Sequence, residues 1–321
     1  MFQWNLKKID LKFKTYWHIN GGSANQKIND FIVVTKDGFD GWGEISSSTK
    51  NNDLETITKN LNSIDLTKLQ TISHIYSLNV CPQVMAGLEM AWVHLQCKLQ
   101  NKTIFELLKI PTVTKAATSF SIPLLNSKDT TDYINKFNVN RFPSCKLKIM
   151  GQDSLPSLEA VSKNYSGPIR LDANESFKTS NEVLIFMESI KNFNVELIEQ
   201  PLHRDNIVEA KILKSKSVIP LIGDESLANN DVTPDYLDYF HGLNIKLMKA
   251  GGYNQAIKQL RQCREIGLKT MVGCMVETSL NISSALNISA NCDWLDLDGH
   301  LLLDNDPFTF LSENRGVICK N

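Results

Sequence analysis

Lys148, Asp172, Glu199, Asp224, Lys246 and Asp298 each lie at the end of a short apolar run, and with Cys274 counted they recur every 22 to 28 positions. Pro-Ile-Arg-Leu-Asp172, Val-Glu-Leu-Ile-Glu199 and Ile-Pro-Leu-Ile-Gly-Asp224 are three such runs in succession. If each run is a strand, three carboxylates arrive at one level. They repel one another unless a cation lies between them. A hard all-oxygen donor set without His or Cys selects Mg²⁺, one ion per chain. Each acid read alone could equally be a helix N-cap or first-turn acid. Three on consecutive strands favour the metal.

Ser144-Cys-Lys-Leu-Lys-Ile-Met150 sets two lysines either side of one leucine. In a strand, side chains two apart share a face, so Lys146 and Lys148 point one way and Leu147 the other. The lysine face must then be polar, as the mouth of a catalytic barrel is. Lys148 falls on the second strand candidate and Lys246 on the sixth, which are opposite walls of an eight-strand barrel. A metal-held substrate would have one lysine on each face. Lys146, as a like charge, is expected to depress Lys148 from the ordinary lysine value of about 10.4 toward a working base. Lys249 lies in the same Lys246-Leu-Met-Lys249 run, so not every lysine here is catalytic.

The strand candidates that must carry these groups are 118–122, 145–149, 169–172, 195–199, 219–223, 243–247, 270–273 and 294–298. Helix signals fall between them. Thr179-Ser-Asn-Glu182 is a capping box ahead of an apolar stripe, and Gly267 stops a second stripe that begins at Ala256. The spacing fits βα units of about 30 residues. The expected fold is α/β, a (β/α)₈-type barrel with its active site at the C-terminal strand ends. A doubly wound sheet competes, but no GxGxxG supports it. Residues 1–112 read as an α+β capping domain, with a hairpin at Asp37-Gly38, a helix over 84–99 and a lid loop over 16–29. The barrel is expected over 113–300, and 301–321 as a C-terminal segment returning to the cap.

Composition excludes several classes. The 321 residues carry a net charge of −1, with 42% hydrophobic and 21% charged. No basic excess exists for nucleic acid or an anionic membrane, so neither is an expected partner. The N-terminus lacks an apolar signal core, and no run approaches the ~20 apolar residues of a membrane span. Seven scattered cysteines without CxxC suggest reduced thiols and a cytoplasmic protein. The expected partner is a small molecule, and a homo-oligomer is compatible with this surface.

The ordered set KLK at 146–148, LDAN at 171–174, EQP at 199–201, GDES at 223–226, NIKLMKAGG at 244–252 and GCMVETSL at 273–280 resembles the enolase superfamily, more narrowly its muconate-lactonising subgroup. The resemblance covers nearly the whole chain. It implies abstraction of a proton α to a carboxylate, with Asp172, Glu199 and Asp224 on Mg²⁺ and Lys148 and Lys246 as the acid/base pair. The subgroup contains muconate cycloisomerases, o-succinylbenzoate synthases, N-acylamino acid racemases and dipeptide epimerases. Trp-Leu-Asp296-Leu-Asp298 looks like the DxD with which dipeptide epimerases hold a substrate ammonium. Muconate and succinylbenzoate carry no ammonium. In the other reading, Asp298 merely caps the turn into Gly299. The expected activity is therefore isomerase, a dipeptide epimerase acting on Ala-Glu or a related dipeptide. The alternatives are a cycloisomerase, o-succinylbenzoate synthase or N-acylamino acid racemase, and last a barrel that only binds ligand. One departure stands out: epimerases acting on Ala-Glu often carry an arginine in the lid, and 16–29 has none. Either Lys27 replaces it, with His18 in the lid and Lys14 and Lys50 flanking the site region, or the accepted side chain is not acidic.

Overall fold

A computed structural model describes residues 1–19, 22–47 and 52–321. The chain opens with an antiparallel sheet of β1 (Gln3–Ile19), β2 (Gly22–Lys36) and β3 (Phe39–Ile45). The β2–β3 turn is the expected hairpin. Asp37 and Gly38 both take positive φ, 51° and 81°, as a tight turn matching strand twist requires. The Pro82–Gln100 helix packs on β3 at backbone contact distance. A Cβ at Gly43 would meet the Gly87 carbonyl at 1.9 Å, so only glycine allows this approach.

The lid expectation changes form. Most of 16–29 is not loop: it is the far end of the β1–β2 ribbon, paired as Trp17 with Ala24 and Leu11 with Lys27, with a register shift between Lys12 and Trp17. Polar, Gly- and Ser-rich sequence hid the strands because exposed ribbon carries no hydrophobic alternation on its outer face. Residues 20–21 and Lys50 lie outside the described residues. The ribbon is tied to the barrel where the Leu124 amide donates to the His18 carbonyl at 3.0 Å and Lys14 Nζ to the Leu301 carbonyl at 2.9 Å.

After β4 (Lys115–Ala117) come eight parallel strands in sequence order: β5 (Ser119–Ile122), β6 (Ser144–Lys148), β7 (Ile169–Asp172), β8 (Val195–Glu199), β9 (Leu221–Gly223), β10 (Gly242–Lys246), β11 (Lys269–Gly273) and β12 (Trp294–Asp296). They form a near-closed barrel with the expected strands in place. α-Helices follow β5, β6, β7, β8, β10 and β11; β9 and β12 are followed by 3₁₀ turns, Pro234–Asp238 and Gly299–Leu302. The first of these turns starts on Pro234 after an Asn-Asn-Asp stretch, a sequence that initiates turns rather than helix. Thr179 caps the Ser180–Ser189 helix by accepting from the Glu182 amide at 3.2 Å, and Gly267 ends the Tyr253–Ile266 helix at φ 82°. β13 (Leu311–Asn314) and β14 (Val317–Lys320) form a small sheet with β4, while Phe308 packs on Phe31 and Trp42 of the first sheet. Among the described residues no helix is long and apolar enough to cross a membrane.

Candidate active site

Strand register sets the level of the charged groups. Lys148 lies opposite Asp172, and Asp172 opposite Glu199. Glu199 lies opposite Ile222, so Asp224 stands one pleat beyond it. Across the barrel, Lys246 lies opposite Gly273, and Gly273 opposite Asp296. The residue at this level on β11 is thus Gly273, and Cys274 sits one step further. None of the three acids starts an α-helix; instead they face inward and are almost fully buried, at 0%, 0% and 1% exposure.

The lysines lace these carboxylates together. Lys148 Nζ is 2.6 Å from Asp172 Oδ2, and Lys146 Nζ is 3.2 Å from both Asp172 Oδ2 and Glu199 Oε2. Lys246 Nζ is 2.9 Å from Asp224 Oδ2 and 3.8 Å from Glu199 Oε1. Lys249 Nζ, 2.8 Å from Asp224 Oδ1, completes the chain. Burial alone would push Asp172 and Asp224 up. The ammoniums of Lys148, Lys146 and Lys246 hold Asp172 below the usual carboxylate range, and those of Lys246 and Lys249 do the same for Asp224. Glu199 goes the other way, to about 7, because burial and the neighbouring Asp172 outweigh its lysines.

Lys146 is not set up as a simple like-charge neighbour of Lys148. It pairs closely with Asp296, and Asp172 Oδ2 lies between it and Lys148 as a shared counterion. Burial disfavours its charge, but Asp296, Glu199 and Asp172 raise it well above the ordinary lysine value. Its first role on this geometry is to compensate charge.

Asp296 and Asp298 do stand together at the mouth, but they are held differently. Asp296 also accepts from Ser119 Oγ at 2.6 Å, and the Lys146 ammonium holds it low against burial. Asp298 accepts from the Ser121 amide at 2.6 Å and Ser121 Oγ at 3.2 Å. Burial and the nearby Asp296 raise it to about 7. Its side chain makes no cap bond to the Gly299–Leu302 turn, although it occupies the N-cap position.

A cavity of ≈ 380 Å³ connects these groups. Lys146, Lys148, Asp224, Lys246, Asp296 and Asp298 line it, with Trp17 from the ribbon and the apolar Met275 and Leu302. Asp172 and Glu199 lie behind the lysines. Lys27 also reaches the cavity, but its Nζ donates to Ser46 Oγ at 2.6 Å and the Ser47 carbonyl at 3.2 Å. Burial lowers its pKa, and the acids Glu277 and Glu44 oppose that shift. Sequence reading missed Arg204 and Glu225 on the wall and set Lys249 aside. Glu225 was visible within GDES, next to Asp224. Arg204 had no signal beyond its nearness to EQP.

Among the described residues no three His, Cys, Asp or Glu side chains are preset around one point. The donor chemistry still fits a hard divalent cation. Three buried acids from adjacent strands offer oxygen alone, and they already draw cationic charge between them.

Residues 130–309 match the enolase C-terminal domain-like family, and the chain belongs to that family within the enolase superfamily. The L-Ala-D/L-amino acid epimerase of Pedosphaera parvula is 32% identical, with 96% of this chain and 93% of that protein aligned. The substrate-liganded L-Ala-D/L-Glu epimerase from Bacillus subtilis superposes with TM-score 0.86 at 22% identity, covering 99% of this chain and 96% of that one. The Enterococcus faecalis dipeptide epimerase complexed with Mg and L-Leu-L-Tyr gives 0.84 at 22%, with the same coverage.

Proposed function

We propose that this chain is a Mg²⁺-dependent dipeptide epimerase that inverts the α-carbon of the C-terminal residue of a dipeptide. The observation that carries this reading is Lys148 and Lys246 on opposite walls, with Asp172, Glu199 and Asp224 on the strands between them. An α-proton beside a carboxylate is very weakly acidic, so removing it demands charge stabilisation as well as a base. Mg²⁺ held by Asp172, Glu199 and Asp224 would supply positive charge to the substrate carboxylate as it gains electron density. Lys148 and Lys246 act as a pair: one takes the proton from its face and the other delivers a proton to the opposite face. Running the pair in reverse gives the other direction, which is why inversion needs two.

Asp298 receives the dipeptide's ammonium. Asp296 is already committed to Lys146 and Ser119, whereas Asp298 faces Ser121 and the cavity. The distance from Asp298 to the acids that would hold Mg²⁺ then works as a ruler for two residues. This separates the reading from an N-acylamino acid racemase, whose substrate has no ammonium. Lys27 adds little net positive charge to the lid side, because Glu277 and Glu44 lie beside it. An acidic substrate side chain is therefore not required, and the apolar Trp17, Met275 and Leu302 suit a neutral one. The reading keeps the division into a cap over 1–112, a barrel over 113–300 and a C-terminal segment. Seven scattered cysteines without a CxxC pair suit a reducing cytosol.

A dipeptide library incubated in D₂O tests the activity. Deuterium should enter the C-terminal residue's α-position, and EDTA should stop it. Exchange with N-acetylated amino acids but with no dipeptide would move the assignment to the racemase.

A further inference from the structure

Gln200 follows Glu199 directly and is 1% exposed. Its φ is +38°, in the left-handed region that glycine enters freely and other residues enter at a cost. The position holds glutamine, so something must offset that strain. The carboxamide makes four hydrogen bonds. Oε1 accepts from the Asp224 amide at 2.9 Å and the Ser226 amide at 3.1 Å. Nε2 donates to the Leu202 carbonyl and to Ser226 Oγ, both at 2.9 Å. Two converging N–H groups require an oxygen, which fixes the orientation of the amide.

The main chain of the same residue joins the neighbouring strands. The Gln200 amide donates to the Ile222 carbonyl at 2.8 Å, and its carbonyl accepts from the Glu175 amide at 2.8 Å. Glu175 lies three residues beyond Asp172, and Ile222 two before Asp224. One residue thus binds the ends of the three strands that carry Asp172, Glu199 and Asp224. Its left-handed turn lets the side chain reach across to the Asp224 loop while the backbone stays in the ladder.

We infer that Gln200 is a positioning residue for the three-carboxylate metal site, setting where Asp224 stands relative to Asp172 and Glu199 without touching the metal or the substrate. The inference rests on the metal assignment proposed above. Partners that orient ligands in this way typically govern affinity by roughly 10- to 100-fold.

The test is calorimetric Mg²⁺ titration of metal-free full-length protein, wild type against two variants. Gln200→Gly permits the same backbone turn and removes the carboxamide. Its Mg²⁺ dissociation constant should rise about 10-fold or more, and kcat should return when Mg²⁺ is raised to saturation. Gln200→Glu keeps an acceptor for the Asp224 and Ser226 amides and loses the two bonds that Nε2 donates to Leu202 and Ser226, each of modest net worth, so it should bind Mg²⁺ clearly more tightly than the glycine variant. Wild-type affinity in Gln200→Gly would overturn the inference, whatever its melting temperature. So would a Gln200→Glu variant that folds and binds as poorly as the glycine variant. If Gln200→Gly does not fold, Gln200→Asn takes its place: asparagine tolerates the left-handed turn, is one methylene too short to hold both amides, and should show the same rise. A wild-type chain that takes up no Mg²⁺ would overturn the metal assignment, and the inference with it.

Discussion

The wall from β6 to β10 and the seam between β12 and β5 close the same barrel in opposite ways. Along the wall the main-chain ladder carries one register shift, between Ile169 and Arg170 where β7 meets β8, and continues past the strand ends: the Ile149 amide donates to the Asp172 carbonyl at 2.9 Å, and the Ala173 amide to the Glu199 carbonyl at 3.0 Å. Among the described residues, β12 and β5 share no main-chain pairing. Side chains close that gap. The Leu297 amide donates to Thr118 Oγ1 at 2.7 Å, Ser119 Oγ to Asp296, and the Ser121 amide to Asp298. On the wall Asp172, Glu199 and Asp224 each have a lysine at 3.2 Å or closer, whereas at the seam Asp298 is held by a backbone amide and a hydroxyl. A ladder gives the fixed geometry that a metal and two proton-transfer groups need. A seam closed by carboxylates leaves charge that a substrate cation can share.

The hardest test of this contrast is at the wall. Lys148→Ala and Lys246→Ala should each lower kcat for epimerisation by roughly 10³ or more, within the range of lost acid–base catalysis. One variant should still exchange the α-proton of a single stereoisomer with solvent, read by NMR in D₂O. Ordinary epimerisation by either variant would break the two-lysine account.

The seam should give a smaller effect of a different kind. Asp298→Asn should reduce dipeptide kcat/KM by about 10²-fold, since removing one partner of a buried charge pair costs a few kcal/mol. Mg²⁺ affinity should not change. Equal kcat/KM for a dipeptide and its N-acetyl form in the wild type would remove the ammonium role.

The raised Asp298 pKa adds a pH signature. The ionised form binds the ammonium, so dipeptide kcat/KM should climb as pH rises through about 7 and flatten above it. The stability term has the reverse sign: an acid that is harder to ionise when folded costs stability as pH rises from its unfolded value toward 7. Asp298→Asn should flatten the kcat/KM profile in that range, and a profile unchanged by this substitution would assign the titration elsewhere.

Two smaller effects sharpen the boundary between the regions. Thr118→Val strips the Leu297 amide of its buried partner and should cost roughly 1–3 kcal/mol in urea unfolding, with little change in kcat/KM. A matching loss of dipeptide turnover would mean that the staple and the site are one device. Lys27→Ala should shift KM for Ala-Glu and Ala-Ala by similar small factors. A selective rise for Ala-Glu would restore Lys27 as an anchor for an acidic side chain.

Much of this was legible in the sequence. A strand and a helix have different hydrophobic periods, so their alternation could be counted, and the count placed Lys148, Asp172, Glu199 and Lys246 at the mouth before any contact was known. The Asp37-Gly38 turn and the Thr179 cap were local signals of the same kind, each set by residues a few positions apart. The lid was misjudged because an exposed ribbon shows no period on the face that meets water.

What only the tertiary structure decided is which charge answers which. Lys146 pairs with Asp296, 150 positions away, rather than acting first on its neighbour Lys148. Lys249 joins Asp224, Lys27 meets Ser46, and Ser121 holds Asp298 across the closing seam. Periodicity along a chain specifies the face a side chain presents. The partner it finds there depends on how eight strands close around one axis, and that closure brings together residues whose separation in sequence carries no local signal.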